Sequence, residues 1–144
     1  MTRKHSSEEV YLALVKFIML SKRRIHEVGA KFGLTGMQTV TLYLLSEPRP
    51  MNTLRKVFNC DASNITGLID GLEQKGLAVR FENEHDRRVK CAKLAPKGVK
   101  LRQELLNKLA TEKSPLLSPL NAQEFDTFID LLQKITASID FEAS

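Results

Sequence analysis

Residues 72–88, LEQKGLAVRFENEHDRR, constrain this 144-residue chain more than any other stretch. A helical pattern closes on Lys75-Gly76, and glycine just past a helix is a common stop because it takes up left-handed backbone at no steric cost. A short apolar run, residues 77–81, follows at once, so the helix is predicted to feed a strand directly. The tip Glu82-Asn83-Glu84-His85-Asp86 is polar throughout, and Arg87-Arg88 lead into a second strand-like run, residues 89–94. A helix followed by a charged hairpin is therefore expected. Guanidinium groups on a protruding loop can enter a minor groove and neutralise phosphates. Charges on a lone hairpin can equally be an ordinary solvated face, so their meaning depends on the helices before them.

Those helices are short and closely spaced. Residues 52–59 place Leu54, Val57 and Phe58 on one face, Asn59 and Cys60 make a turn, and Ile65, Leu68, Ile69 and Leu72 form the stripe of the next helix. Asp61 or Ser63 can cap that second helix. Two short helices joined by a tight turn, the second with a polar N-terminus, describe a helix-turn-helix. Ser63, Asn64 and Thr66 can project from its first turns toward base edges or phosphates, because hydroxyls and amides make such hydrogen bonds. For Ser63, capping alone is an equal alternative. Arg55 and Lys56 on the preceding helix are expected to position the DNA backbone.

Outside this module the chain reads as helix. Ser6-Ser7-Glu8-Glu9 looks like a cap and acidic first turn, followed by Val10, Leu14, Phe17, Ile18 and Ile25 at helical spacing to about Gly29. Thr35 can cap a helix through Leu45, and Glu47-Pro48-Arg49-Pro50 ends it because proline disfavours helical geometry in the residue before it. Pro96 suits the first turn of a helix reaching about Lys113, residues 114–119 form a proline-punctuated connector, and Asn121-Ala122-Gln123-Glu124 is a capping box. The last helix carries Phe125, Phe128, Ile129, Leu132, Ile135 and Ile139. The expected fold is mainly α with a small β-hairpin wing. It divides into an N-terminal dimerisation helix (1–33), a winged helix-turn-helix DNA-binding domain (34–95) and C-terminal dimerisation helices (96–144). The terminal apolar stripes must be buried against something. A second copy of the same helices is the economical partner and gives a two-fold dimer suited to a palindromic site; packing on the module itself is the alternative.

A net charge of +5 and an isoelectric point near 9.3 favour an anionic partner. Residues 1–31, 49–58 and 80–93 are each net basic, whereas residues 61–76 hold Asp61, Asp70 and Glu73 against Lys75 alone. Basic segments thus surround an acidic helix. No apolar run approaches the ~20 residues needed to span a membrane, and the N-terminal residues lack an apolar signal core, so a cytoplasmic protein is expected. Cys60 and Cys91 make no disulfide framework, and neither they nor His5, His26 and His85 sit at metal-ligand spacing. With no phosphate loop or nucleophile motif either, no metal, cofactor or catalytic residue is expected. Cys60 lies at a helix N-terminus, which can lower a thiol pKa; its other reading is a small buried turn residue, and Cys91 reads as packing.

The order helix, helix-turn-helix, wing and two trailing helices resembles the MarR family of transcription regulators. The resemblance is carried by Leu34-Thr35-x-x-Gln38, by residues 64–73 (NITGLIDGLE), by Lys75-Gly76-Leu77 and Arg80, and by Asp86-Arg87-Arg88 with residues 94–98 (LAPKG). It covers nearly the whole chain, weakening before residue 10 and after residue 115. It implies a dimer built from helices at both ends, repression of nearby genes, and release from DNA by an effector, often a small phenolic or other anionic compound. It also favours Arg88 as the wing arginine that reaches DNA, with Asp86 bracing the hairpin.

Two departures stand out. Gly71 occupies a place where the family often has arginine, so the helix is expected to lose a DNA ligand, and with Gly67 it makes two helical glycines at roughly 1 kcal/mol each. Ala95 replaces a threonine that could cap the following helix. These features keep a second function class open, a winged-helix protein-interaction module with little specific DNA binding.

Overall fold

The computed structural model describes residues 4–111 and 114–138. It holds six helices and a small sheet: α1 (Ser7–Ala30), α2 (Gly36–Leu44), β1 (Arg49–Pro50), α3 (Met51–Phe58), α4 (Ala62–Gln74), β2 (Ala78–Glu82), β3 (Lys90–Leu94), α5 (Pro96–Thr111) and α6 (Ala122–Ala137). The expected Ile139 position and the end of the fifth helix near Lys113 lie outside the described residues.

The helix starts follow local chemistry. Ser6 and Glu9, Thr35 and Gln38, and Asn121 and Glu124 each form a reciprocal capping box, satisfying backbone N–H groups that a helix start leaves without partners. The end of α4 is as well determined. Gly76 has φ +71, its N–H donates to the Glu73 carbonyl at 2.8 Å, and the Leu77 N–H donates to the Leu72 carbonyl at 2.9 Å. Leu72 and Leu77 are both buried beside this pair of bonds, which completes a Schellman closure. Leu77 is therefore spent on ending the helix, and β2 starts one residue later than the apolar run suggests.

The hairpin is antiparallel, with Ala78 opposite Leu94 and Glu82 opposite Lys90. It is joined by a strand absent from the sequence reading: Arg49 pairs with Ala92 and Pro50 with Cys91, giving the order β1-β3-β2. Two residues beside prolines show no alternation, and proline is tolerated here because β1 is an edge strand. Tertiary proximity alone makes it a strand.

The core lies under this sheet and between α2, α3, α4 and α5. Leu42, Leu54, Ile65, Ile69, Leu72 and Leu105 are fully buried, each worth about 1.5–3 kcal/mol over exposure. Two glycines permit the close approaches that position the helices. A Cβ at Gly29 would lie 1.9 Å from Thr39 Oγ1, and one at Gly98 would lie 2.0 Å from the Leu77 carbonyl oxygen. The terminal helices are treated differently: α6 buries no residue, and α1 leaves Tyr11 at 72%, Met19 at 61% and Leu14 at 54% exposure. An edge-to-face contact between Phe17 and Phe128, 5.6 Å between ring centroids, joins α1 to α6. No helix among the described residues is long and apolar enough to cross a membrane.

Candidate nucleic-acid interface

The helix-turn-helix is α3 and α4, and its tight turn depends on Asn59, whose φ is positive (48). Asparagine tolerates the left-handed region better than most side chains. The Cys60 N–H donates to the Arg55 carbonyl at 3.2 Å, closing α3. Asp61 occupies the N-cap of α4 but makes no side-chain capping bond, and Ser63 lies within the helix. Of the two expected caps, Asp61 thus holds the position without the hydrogen bond and Ser63 is free of that duty.

Ile65, Ile69 and Leu72 face the core, which turns Ser63, Asn64, Thr66 and Gly67 to solvent. The Thr66 hydroxyl donates back to the Ala62 carbonyl at 3.0 Å. Lys56 is exposed; Arg55 is half-buried and its Nε donates to Asn52 Oδ1 at 3.0 Å. Asn64 also lines a cavity of about 1250 Å³ between α1 and the reading head, together with Leu68, Cys60 and Phe58. The opposite wall carries Lys22, Arg23 and His26, and no carboxylate lines it. Cys60 is half-buried within this wall, and Cys91 is buried in the sheet.

The wing is braced from within. Asn83 Oδ1 accepts from the His85 N–H at 2.8 Å and the Asp86 N–H at 3.3 Å, and the Val89 N–H donates to the Asp86 carbonyl at 2.9 Å. Asp86 Oδ1 accepts from the backbone N–H and from Nε of Arg88, both at 3.1 Å, and Oδ2 accepts from Arg88 Nη2 at 3.1 Å. These bonds from the Arg88 side chain, then from its backbone, hold the Asp86 carboxyl below the ordinary aspartate range. The Arg88 side chain is 91% exposed, so it is oriented without being buried. Arg87 is exposed beside it.

Polar contacts of three basic residues join these elements together. Arg80 on β2 donates through Nη2 to Glu73 Oε2 at 2.7 Å and to Asp70, while its backbone N–H donates to Glu73 Oε1 at 2.9 Å. Lys75 Nζ donates to the Gly33 carbonyl and to Gln38 Oε1, the latter at 3.2 Å. Lys97 Nζ donates to the Lys75 carbonyl at 3.0 Å. Two of the three carboxylates that made residues 61–76 read as acidic, Asp70 and Glu73, are thus engaged by a neighbouring strand. The signal was present in the sequence: Asp70 and Glu73 are three residues apart on a solvent-facing side, with arginine a short turn beyond. The Cβ direction at Gly71 points at Gln38 Nε2, 2.8 Å away, so position 71 faces α2. Among the described residues no cluster of His, Cys, Asp and Glu could hold a metal.

Comparison with known proteins agrees with this architecture. The MarR family model matches residues 34–90. The HTH-type transcriptional regulator MhqR of Bacillus subtilis is 28% identical over 107 residues, covering 73% of this chain and 74% of the relative. Among solved structures, the transcriptional regulator BldR from Sulfolobus solfataricus superposes with a TM-score of 0.72 at 26% identity over 94% of this chain and all (100%) of its own. Bordetella bronchiseptica BpsR, whose DNA binding is regulated by 6-hydroxynicotinic acid, shares the fold with a TM-score of 0.70 at 23% identity, covering 92% of this chain and 96% of its own. Residues 34–90, which hold the helix-turn-helix and most of the internally braced wing hairpin, thus match the MarR family model, and these solved structures share the fold.

Proposed function

We infer that the protein is a homodimeric repressor that reads a palindromic DNA site and is released by a small anionic effector. The observation that carries this reading is the pairing of a solvent-facing α4 start with a wing whose exposed Arg88 is oriented by Asp86. Ser63, Asn64 and Thr66 take the major groove, with Asn64 suited to adenine and the Thr66 methyl to thymine. Arg55 and Lys56 hold the backbone, and Arg88 with Arg87 serves the minor groove. No arginine lies in residues 61–76, so bidentate guanine readout from α4 is absent and an A·T-rich half-site is expected.

The dimer reading rests on α1 and α6, whose exposed apolar residues need a partner. Residues 1–33 and 96–144 supply that interface and residues 34–95 the reading head. The effector reading rests on the cavity, large enough for a drug-sized ligand, with cations on one wall and Asn64 on the other. An anion held there would touch the helix that reads DNA.

A protein-interaction module remains the second reading, favoured by the two carboxylates on α4. Selection of duplexes from random-sequence DNA, followed by titration at 50 and 200 mM salt, separates the two. A regulator enriches a palindrome and loses affinity steeply with salt; an interaction module enriches nothing. Asn64→Ala should cost roughly 1–3 kcal/mol on the enriched duplex and less on random DNA.

A further inference from the structure

We propose that Arg80 is a positioning residue of the reading head: by chelating Asp70 and Glu73 it locks the wing to the recognition helix and neutralises acid beside the DNA surface, without itself touching DNA. The proposal rests on the DNA-reading assignment above and concerns how the two contact elements keep their relative placement.

Three bonds converge on this junction. Glu73 accepts from both the backbone N–H and the guanidinium of Arg80, at 2.9 and 2.7 Å, and Asp70 accepts from the same Nη2. The bonds run between an α4 turn and a β2 residue paired with Ala92, the β3 residue that also pairs with Arg49. Arg80 therefore grips α4 from the rung at which all three strands meet. Because β2 is an edge strand, its outward N–H groups would otherwise be open; Glu73 occupies the one on Arg80. The three side chains are only partly exposed, at 34% for Arg80, 42% for Asp70 and 30% for Glu73. Screening is then weaker than for a fully solvated pair.

Charge gives the clamp its second role. Asp70 and Glu73 follow directly on the turns that carry Ser63, Thr66 and Gly67, so two uncompensated carboxylates would face the phosphates flanking a major groove. One guanidinium bonded to both removes half of that charge. A cation committed to two carboxylates is also a poor phosphate ligand, which sets Arg80 apart from Arg88 with its single partner residue.

The test uses the full chain and the duplex enriched by the wild-type protein. Arg80→Ala should bind on the order of tenfold more weakly, about 1.4 kcal/mol, with the slope of log affinity against log salt unchanged. Adding Asp70→Asn and Glu73→Gln to Arg80→Ala should restore the part of the lost affinity that comes from uncompensated acid, and leave the part that comes from the lost lock. Arg80→Lys, which keeps the charge, should fall between wild type and Arg80→Ala and guards against mere misfolding. A slope reduced by about one per protomer, with no recovery in the triple variant, would make Arg80 a phosphate ligand and overturn the clamp. Unchanged affinity in Arg80→Ala would overturn it too. In the DNA-free protein, Glu73→Ala should accelerate hydrogen exchange at the Arg80 amide and along β2; unaltered exchange refutes the lock. If the wild type enriches no duplex, the DNA-reading assignment fails, while the exchange measurement still decides whether wing and helix are locked.

Discussion

Replacing Gly67 and Gly71 in turn by alanine applies one chemical change twice to one helix, and the structure gives the two different outcomes. At Gly67 an added Cβ has no atom within 4 Å. Alanine there gains about 1 kcal/mol of helix propensity with nothing to offset it. For a chain of this size that is a rise of roughly 3–4 °C in Tm. At Gly71 the same gain meets Gln38 Nε2 at 2.8 Å, closer than real Cβ contacts come. Gln38 is buried and committed: its Oε1 accepts from the Thr35 N–H at 3.1 Å and from Lys75 Nζ at 3.2 Å. Turning the amide aside costs one or both bonds, about 1 kcal/mol each. The net change runs from near zero to about 1 kcal/mol of destabilisation. Thermal unfolding by circular dichroism, at one fixed protein concentration so that any self-association contributes equally, should show Gly67→Ala above wild type and Gly71→Ala level with it or lower. Adding Gln38→Ala should abolish the difference between Gly71 and Gly71→Ala backgrounds or reverse its sign. If both single variants rise equally, Gln38 yields freely and its role in joining α2 to α4 is refuted.

Changing Arg87 and Arg88 together to alanine should weaken binding to all sequences and lower the salt slope by about one or two per half-site; an unchanged slope in anisotropy titrations would remove the wing from the interface. Deleting residues 121–144 should leave the apolar face of α1 uncovered and give monomers or aggregates, and sedimentation showing the intact protein monomeric at micromolar concentration would contradict the dimer. Gly98→Ala, whose Cβ would meet the Leu77 carbonyl oxygen at 2.0 Å, should cost several kcal/mol because the opposing atom is backbone in a packed core, readable as a large fall in the urea midpoint. The Asp86 carboxyl is depressed by Arg88, so the order it confers on the wing is fully present above the ordinary aspartate range and lost as pH falls through its lower folded-state value. An NMR titration of Asp86 should give a midpoint below that of an unpaired aspartate, and Arg88→Ala should return it toward the ordinary value.

Much of this protein follows from local chemistry alone. The capping boxes at Ser6, Thr35 and Asn121, the stop at Gly76, the helix-turn-helix stripe and the polar wing each depend on residues a few positions apart, so their spacing in the chain carries their geometry. The exposed position of Ser63, Asn64 and Thr66 follows likewise from Ile65, Ile69 and Leu72 facing the core. What only the tertiary structure decided involves residues distant in sequence or too few to make a pattern. Arg49 and Pro50 become a strand because β3 comes to lie beside them. Gly71 faces Gln38, a residue on another helix, so its side chain direction could not be read from helical period alone. The acids of α4 looked like a net-negative recognition helix until Arg80 reached them across the turn into β2. Asn64, exposed on the first turns of α4, shares a cavity with Lys22, Arg23 and His26 because α1 folds back over α2 and α4. Periodicity assigns a face to each residue; only packing says what that face meets.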